Sequence, residues 1–308
     1  MNKKASKKYS LLVATSMGLR LTPVDSQPFH CSNTFKMQAT SAESNIASVS
    51  SYLGMPVKVL TAFVKGSPVS HFIKDNLKSR RMDFEGPEFE QDGPWGYRHQ
   101  INMADSGWGA RGPRVQNDRA GEVGRELSAG HFDLDRIFVK EGAKIVHLSG
   151  LFAALSPKTI QFCLDIARIA KDNGSLISFD LNHRASFWKG REEELARAFA
   201  EIASHSDILI GNEEDFQLCL DIEGPDTGGE GLDEKIDGFK EMIGRVQAAY
   251  PKARYFGTTL REVVSANCHM WGALVTDSKE WEIIKPRQIG VLDRIGGGDS
   301  FVGGLLYG

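Results

Sequence analysis

Apolar residues along the chain change their spacing repeatedly, and those changes mark out its elements. Residues 10–14 are a short apolar run that predicts a buried strand, and residues 42–53 carry helical spacing up to Gly54, a residue suited to the position just past a helix end. Residues 57–62 predict the next strand. The second half is more regular. Residues 144–148 predict a strand, residues 157–173 a helix with Pro157 near its start and Gly174 after its end, and residues 176–179 and 207–211 two further strands. A helix over 235–250 and a strand over 255–258 continue the alternation, and residues 271–275 and 281–284 read as edge strands paired antiparallel. Between 85 and 119 the pattern dissolves into Gly, Pro and aromatics, with polar and apolar residues alternating over 97–103 as in a half-exposed strand. Residues 224–231 read as a surface loop between two helices. Strands alternating with helices predict an α/β fold: a doubly wound, mostly parallel sheet flanked by helices, with ligands beyond the carboxyl ends of its strands.

Composition narrows this picture only a little. At 308 residues the chain suffices for one large domain with a sizeable core, and a net charge of −3 gives no basic footprint for nucleic acid. Cys31, Cys163, Cys219 and Cys268 are irregularly spaced with no CxxC pair, which suggests neither a zinc site nor a disulfide framework and predicts reduced core thiols. The basic start is followed by an apolar run, residues 11–14, too short for a secretory signal. No stretch is long enough to span a membrane, so cytoplasmic location and no membrane partner are expected.

The chemistry concentrates near residue 299. Residues 292–306 read LDRIGGGDSFVGGLL: Gly296, Gly297 and Gly298 run into Asp299, and a small, apolar segment with helical potential follows. A helix starting here directs unpaired N–H groups and the positive end of its dipole into the glycine turn, which suits an anion. Asp299 beside it is stabilised as a carboxylate and can accept a proton, as phosphoryl transfer to an alcohol requires. A plain glycine turn with Asp299 capping an ordinary helix is the competing reading of these residues alone.

The whole run DRIGGGDSFVGGLLYG resembles the C-terminal signature of the ribokinase/PfkB family of carbohydrate kinases, and its Asp293-Arg294 pair looks most like the bacterial 2-dehydro-3-deoxygluconate kinases in that family. The resemblance implies a ribokinase-like fold of one domain over 1–308, with a small β-sheet lid from about 16–38 and 88–119. It implies Asp299 as catalytic base with Gly296, Gly297 and Gly298 as anion hole, and ATP and Mg²⁺ as cofactors.

Other segments fall in family order. Asn45 matches a substrate-contacting Asn, whereas Thr40 and Ser41 stand where the family has two glycines. Arg111 matches the arginine of an R-P-S-x-V segment, here Arg111-Gly112-Pro113-Arg114-Val115, and an Arg fork suits a sugar-acid carboxylate. Asp180-Leu181-Asn182-His183-Arg184 matches D-x-N-x-R, which implies Arg184 on the substrate carboxylate or a nucleotide phosphate, with Asn182 in support. Asn212-Glu213-Glu214-Asp215 corresponds to N-x-x-E with a shorter last carboxylate, implying Glu214 and Asp215 near Mg²⁺; a helix start rich in acids is the alternative. Thr259-Leu260-Arg261-Glu262 resembles the segment flanking the nucleotide phosphates and ribose, with Arg261 where many relatives have the Gly of T-x-G. His147, His183 and His205 have no ligand-like grouping and read as structural.

The implied activity is ATP-dependent phosphorylation of a terminal hydroxyl of 2-dehydro-3-deoxy-D-gluconate. Kinases of fructose or another hexose, and a non-catalytic ligand-binding relative, are the alternatives; a nicotinamide-dependent enzyme is disfavoured because no GxGxxG follows the first strand. Relatives carry a further helical segment beyond the position of Gly308, so C-terminal helices that close the adenine pocket are expected to be missing here. A homodimer or higher homo-oligomer through the lid is a further expectation.

Overall fold

The computed structural model describes residues 7–224 and 232–308, so the loop expected over 224–231 lies, from residue 225 on, outside the described residues. Its first part contains β1 (Tyr9–Ala14), β2 (Gly18–Pro23), β3 (Phe35–Thr40), α1 (Ala42–Tyr52), β4 (Val57–Leu60) and β5 (Phe63–Val64). Next come α2 (Pro68–Ser79), β6 (Asp83–Glu85), β7 (Glu88–Phe89), β8 (Ile101–Ala104), β9 (Val115–Asp118), β10 (Ala143–Ser149), α3 (Gly150–Ala153) and α4 (Pro157–Asp172). The rest is β11 (Leu176–Asp180), α5 (Ala185–Trp188), α6 (Glu192–His205), β12 (Ile208–Ile210), α7 (Glu213–Leu220), α8 (Leu232–Ala249), β13 (Tyr255–Ser265), β14 (Cys268–Thr276), β15 (Trp281–Gly290) and α9 (Gly297–Tyr307).

Nine strands form the main sheet in the order β15-β14-β13-β12-β11-β10-β1-β4-β6. From β13 to β6 every neighbouring pair is parallel, while β13, β14 and β15 pair antiparallel, as the sequence predicts. Parallel strands covered on both faces read as continuous apolar runs, and Leu11 to Ala14 are all at most 2% exposed. The helices bury one stripe each. In α4, Pro157 fits the first turn, Ser156 and Thr159 form a capping box, and Phe162, Ile166 and Ala170 recur at spacing four to face the core. Chain order reverses between β10 and β1, which places a crevice at the carboxyl ends of the strands there.

A second sheet, β3-β2-β8-β9, has four strands. It runs through to Thr40 and takes in Ile101–Ala104, whereas Glu88–Phe89 pairs with Phe63–Val64 in a separate ribbon. The strand read over 97–103 is thus shorter and shifted. Strands β13 and β15 extend beyond the expected 255–258 and 281–284, because their outer parts, with Val263 and Val264 exposed in one and Lys285, Arg287 and Gln288 in the other, lack a buried apolar run. The outer end of β13–β14 reaches the small sheet's loop, where the Ala266 N–H donates to the Gly109 carbonyl and the Gly109 N–H to Asn267 Oδ1. Cys163 and Cys219 are buried free thiols, but Cys31 is exposed and so departs from the expected core position. His147 is buried beside Ser178, and burial alone pushes its pKa down to about 3, so it stays neutral. Among the described residues no helix is long and apolar enough to cross a membrane.

Candidate active site

A cavity of about 920 Å³ lies between the carboxyl ends of the main sheet and the small sheet. Its floor is the start of α9. Gly296 has φ +88°, a left-handed conformation that a side chain resists, and it turns the chain directly into the helix. Asp299 is the third helical residue, so its N–H and that of Gly298 have no intrahelical partner and face the turn. Helix α9 rests on α1: a side-chain carbon at Gly303 would stand 2.7 Å from the Ile46 carbonyl oxygen. That close approach brings Asn45 of α1 to Asp299, whose Oδ2 accepts from Asn45 Nδ2 at 2.7 Å.

The Asp299 carboxyl titrates unusually high, at about 6. Burial is the main cause, the Glu43 charge adds to it, and the Asn45 hydrogen bond and Arg184 oppose it. At neutral pH the group is ionised yet close to its titration point, as suits a general base. Asp180, at the end of β11, is held well above the carboxylate range by burial and by Asp215 and Asp299.

The structure brings most of the sequence-predicted residues to this cavity. Thr40, Ser41, Asn45, Asn182, Arg184, Asn212, Glu214, Asp215, Thr259, Arg261 and Gly296 to Asp299 all line it. Several have local duties as well. Ser41 caps α1, accepting from the Ser44 N–H at 3.0 Å. Asn182 adopts φ 41°, and its side-chain amide lies 3.4 Å from Ser149 Oγ. Asp215 closes a capping box with Asn212; its oxygens accept the His183 and Asn212 N–H groups at 2.9 and 3.0 Å, which occupies the carboxylate with backbone. Arg184 is exposed to the cavity, its Nη1 resting on the His183 carbonyl.

Arg111 is not brought to the cavity. Its guanidinium donates to Asp105 Oδ1 at 3.0 Å and to the Ser26 carbonyl, and it braces a loop of the small sheet. The cations that do face the cavity from that side are Arg20 and Arg119, with Gln100, Asn102 and Asn117 beside them. The sequence reading missed these five. Gln100 and Asn102, like Asn117 and Arg119, are two apart, the spacing that puts strand residues on one face, and this was the available signal. Arg20 of β2 also pairs with Asp293, tying the small sheet to the segment before the glycine turn.

Glycines suit an approaching phosphate here. A side-chain carbon at Gly298 would meet nothing within 4 Å, so that backbone borders open space. Gly297 lies against the Trp271 ring, which also has the Arg261 guanidinium 5.9 Å from its centre. Glu214 is exposed at the same end of the cavity, where a carboxylate can reach a magnesium water shell.

The sequence pattern of pfkB family carbohydrate kinases matches residues 30–308. A 5-dehydro-2-deoxygluconokinase of Clostridium perfringens is 28% identical over 176 residues, 57% of this chain and 46% of that protein, so the chain spans under half the relative's length. A 5-dehydro-2-deoxygluconokinase of Clostridium botulinum is 24% identical over 98% of this chain and 81% of its own. Among solved structures, the 2-dehydro-3-deoxygluconokinase of Thermotoga maritima superposes with a TM-score of 0.86 at 27% identity, covering 97% of this chain and 86% of that one.

Proposed function

This chain belongs to the pfkB family of carbohydrate kinases, and from that premise we propose that it transfers the γ-phosphoryl group of ATP to the terminal hydroxyl of 2-dehydro-3-deoxy-D-gluconate. The observation that carries the reading is Asp299, held by Asn45 at the start of α9 with a glycine turn on one side and an arginine-lined space on the other. Asp299 takes the proton of the hydroxyl as its oxygen attacks the γ-phosphorus; the bond to the bridging oxygen breaks and ADP leaves. The N–H groups of the turn, with the α9 dipole behind them, stabilise the charge on the moving phosphoryl. Glu214 would hold Mg²⁺, which when bound neutralises phosphate charge. Thr259, Arg261, Asn182 and Asn212 flank the nucleotide in this reading, and Arg184 and Arg119 supply the cations for the sugar-acid carboxylate.

A second sugar acid fits the same site. The Clostridium relatives are named for 5-dehydro-2-deoxygluconate, another six-carbon keto-deoxy acid with a terminal hydroxyl. The test is ADP release over a panel holding both acids, gluconate, fructose and glucose. Turnover of a keto-deoxy acid well above the neutral sugars is the expected result; preference for fructose or glucose would overturn the assignment.

A further inference from the structure

A small cleft of about 20 Å³ opens beside the sugar end of the main cavity, walled by the polar Ser16, Glu43, Gln100 and Arg119 and by the apolar Leu151, Phe152 and Leu155. Three of its buried polar atoms have no hydrogen-bond partner in the protein: Glu43 Oε1, Gln100 Oε1 and Arg119 Nε. The other polar ends of Glu43 and Gln100 have partners in the protein. Glu43 Oε2 accepts from Thr15 Oγ1 at 2.5 Å, and Gln100 Nε2 donates to the Ser16 carbonyl at 3.4 Å, which orients the amide. Arg119 Nη1 donates to both oxygens of Glu122 at 2.8 and 3.0 Å, with Phe187 5.2 Å from the guanidinium carbon. Glu43 and Gln100 are each 2% exposed, so solvent at the surface does not serve them.

Two acceptors and one donor without protein partners thus belong to side chains that wall a space the size of one small molecule. A metal cation is repelled by the guanidinium N–H, an anion by the two oxygens, and a lone hydroxyl has only one proton for two acceptors. Water has two protons to give and lone pairs to receive, and the space exceeds the ~10–15 Å³ that one water needs. We propose that this cleft is a binding site for one ordered water, which donates to Glu43 and Gln100, accepts from Arg119 Nε, and thereby fixes the guanidinium in the wall that the cleft shares with the main cavity. Burial raises the Glu43 carboxyl above its ordinary range, and the water serves a protonated Glu43 equally well by accepting from it. Gln100 is then a positioning residue, acting on substrate through the water and Arg119. This last step rests on the sugar-acid reading; the water site itself does not.

The experiment is a pair of crystal structures, wild type and Gln100→Met, with kinetics on both. Methionine keeps the length of the side chain and removes the acceptor. Wild type should show one density peak within about 2.7–3.2 Å of all three atoms. In Gln100→Met the peak should vanish and KM for the sugar acid should rise about threefold to tenfold, with a smaller change in kcat. Should Gln100→Met fail to fold, Glu43→Gln, which keeps size and hydrogen-bonding capacity, should retain the peak. A dry cleft in wild type overturns the site, and a peak whose loss leaves KM unchanged overturns the role given to Gln100. If no sugar acid is turned over, the functional reading fails, while the density still decides the water.

Discussion

The two ends of the cavity, proposed above to take phosphate and sugar, are assembled in different ways. At the phosphate end, Arg294 to Asp299 are consecutive, and one turn followed by one helix places glycine amides and carboxylate together. At the sugar end, Arg20, Gln100, Asn102, Asn117 and Arg119 come from three separate stretches that meet only because β2, β8 and β9 pair in one small sheet. Chemistry carried by adjacent residues depends on local backbone preference, whereas chemistry spread over a sheet depends on register. A change at the first end should therefore abolish turnover, and changes at the second should alter which sugar is taken.

The largest expected effect is at the phosphate end. Asp299→Asn keeps the shape and removes the base, so kcat should fall about 10²-fold or more. The folded-state pKa of Asp299 lies above that of a free carboxyl, so the native state binds its proton more tightly, and the charge costs stability as pH rises through about 6. The variant should thus melt no lower than wild type at neutral pH; a lower melting temperature together with lost activity would assign Asp299 to the fold.

At the sugar end, Arg119→Met and Arg184→Met should each raise KM for a sugar acid about tenfold, with little effect on a neutral sugar. Equal losses on both substrates would move these arginines to the nucleotide and erase the contrast between the ends. Arg111→Met should leave the ratio of the two KM values unchanged, because that guanidinium is held by Asp105; a changed ratio would return Arg111 to the substrate.

The smallest effect sharpens the phosphate end. Asp215→Ala removes a helix cap and should cost about 1 kcal/mol of stability, read by denaturant titration, with an unchanged Mg²⁺ requirement. Glu214→Gln should instead raise the Mg²⁺ needed for half-maximal rate. If the two outcomes were exchanged, Asp215 would be the metal-facing carboxylate.

The same contrast accounts for how much was legible in the sequence. The parallel core was readable because Leu11 to Ala14 and Ile208 to Ile210 are apolar runs, and the GGGD turn because glycines and an acid at a helix start have a direct physical meaning. Helices α2 and α6 were not predicted, although each has an amphipathic stripe, Ser70, Ile73 and Leu77 in one and Leu195, Phe199 and Ile202 in the other. Arg111 was read as a substrate cation by local motif and Arg119 was missed, because only strand pairing distinguishes them: the bridge Trp108–Arg111 closes a loop on Asp105, while Arg119 follows β9 into the cavity. Asp215 was ambiguous for a related reason, since a capping acid and a metal-facing acid occupy the same place in a helix start.

The most direct test of the account is the pH dependence of kcat/KM for the best sugar acid, from about pH 5 to about pH 8. Asp299 must be ionised to accept the proton, and its carboxyl titrates at about 6, so activity should hold above that value and fall tenfold per unit below it. Asn45→Ala removes a hydrogen bond that lowers this pKa and should move the acid limb to higher pH. A limb near 6 that shifts upward in Asn45→Ala is the predicted result. A flat profile across the range, or a limb that persists unchanged in the residual activity of Asp299→Asn, would contradict the assignment of Asp299 as the base.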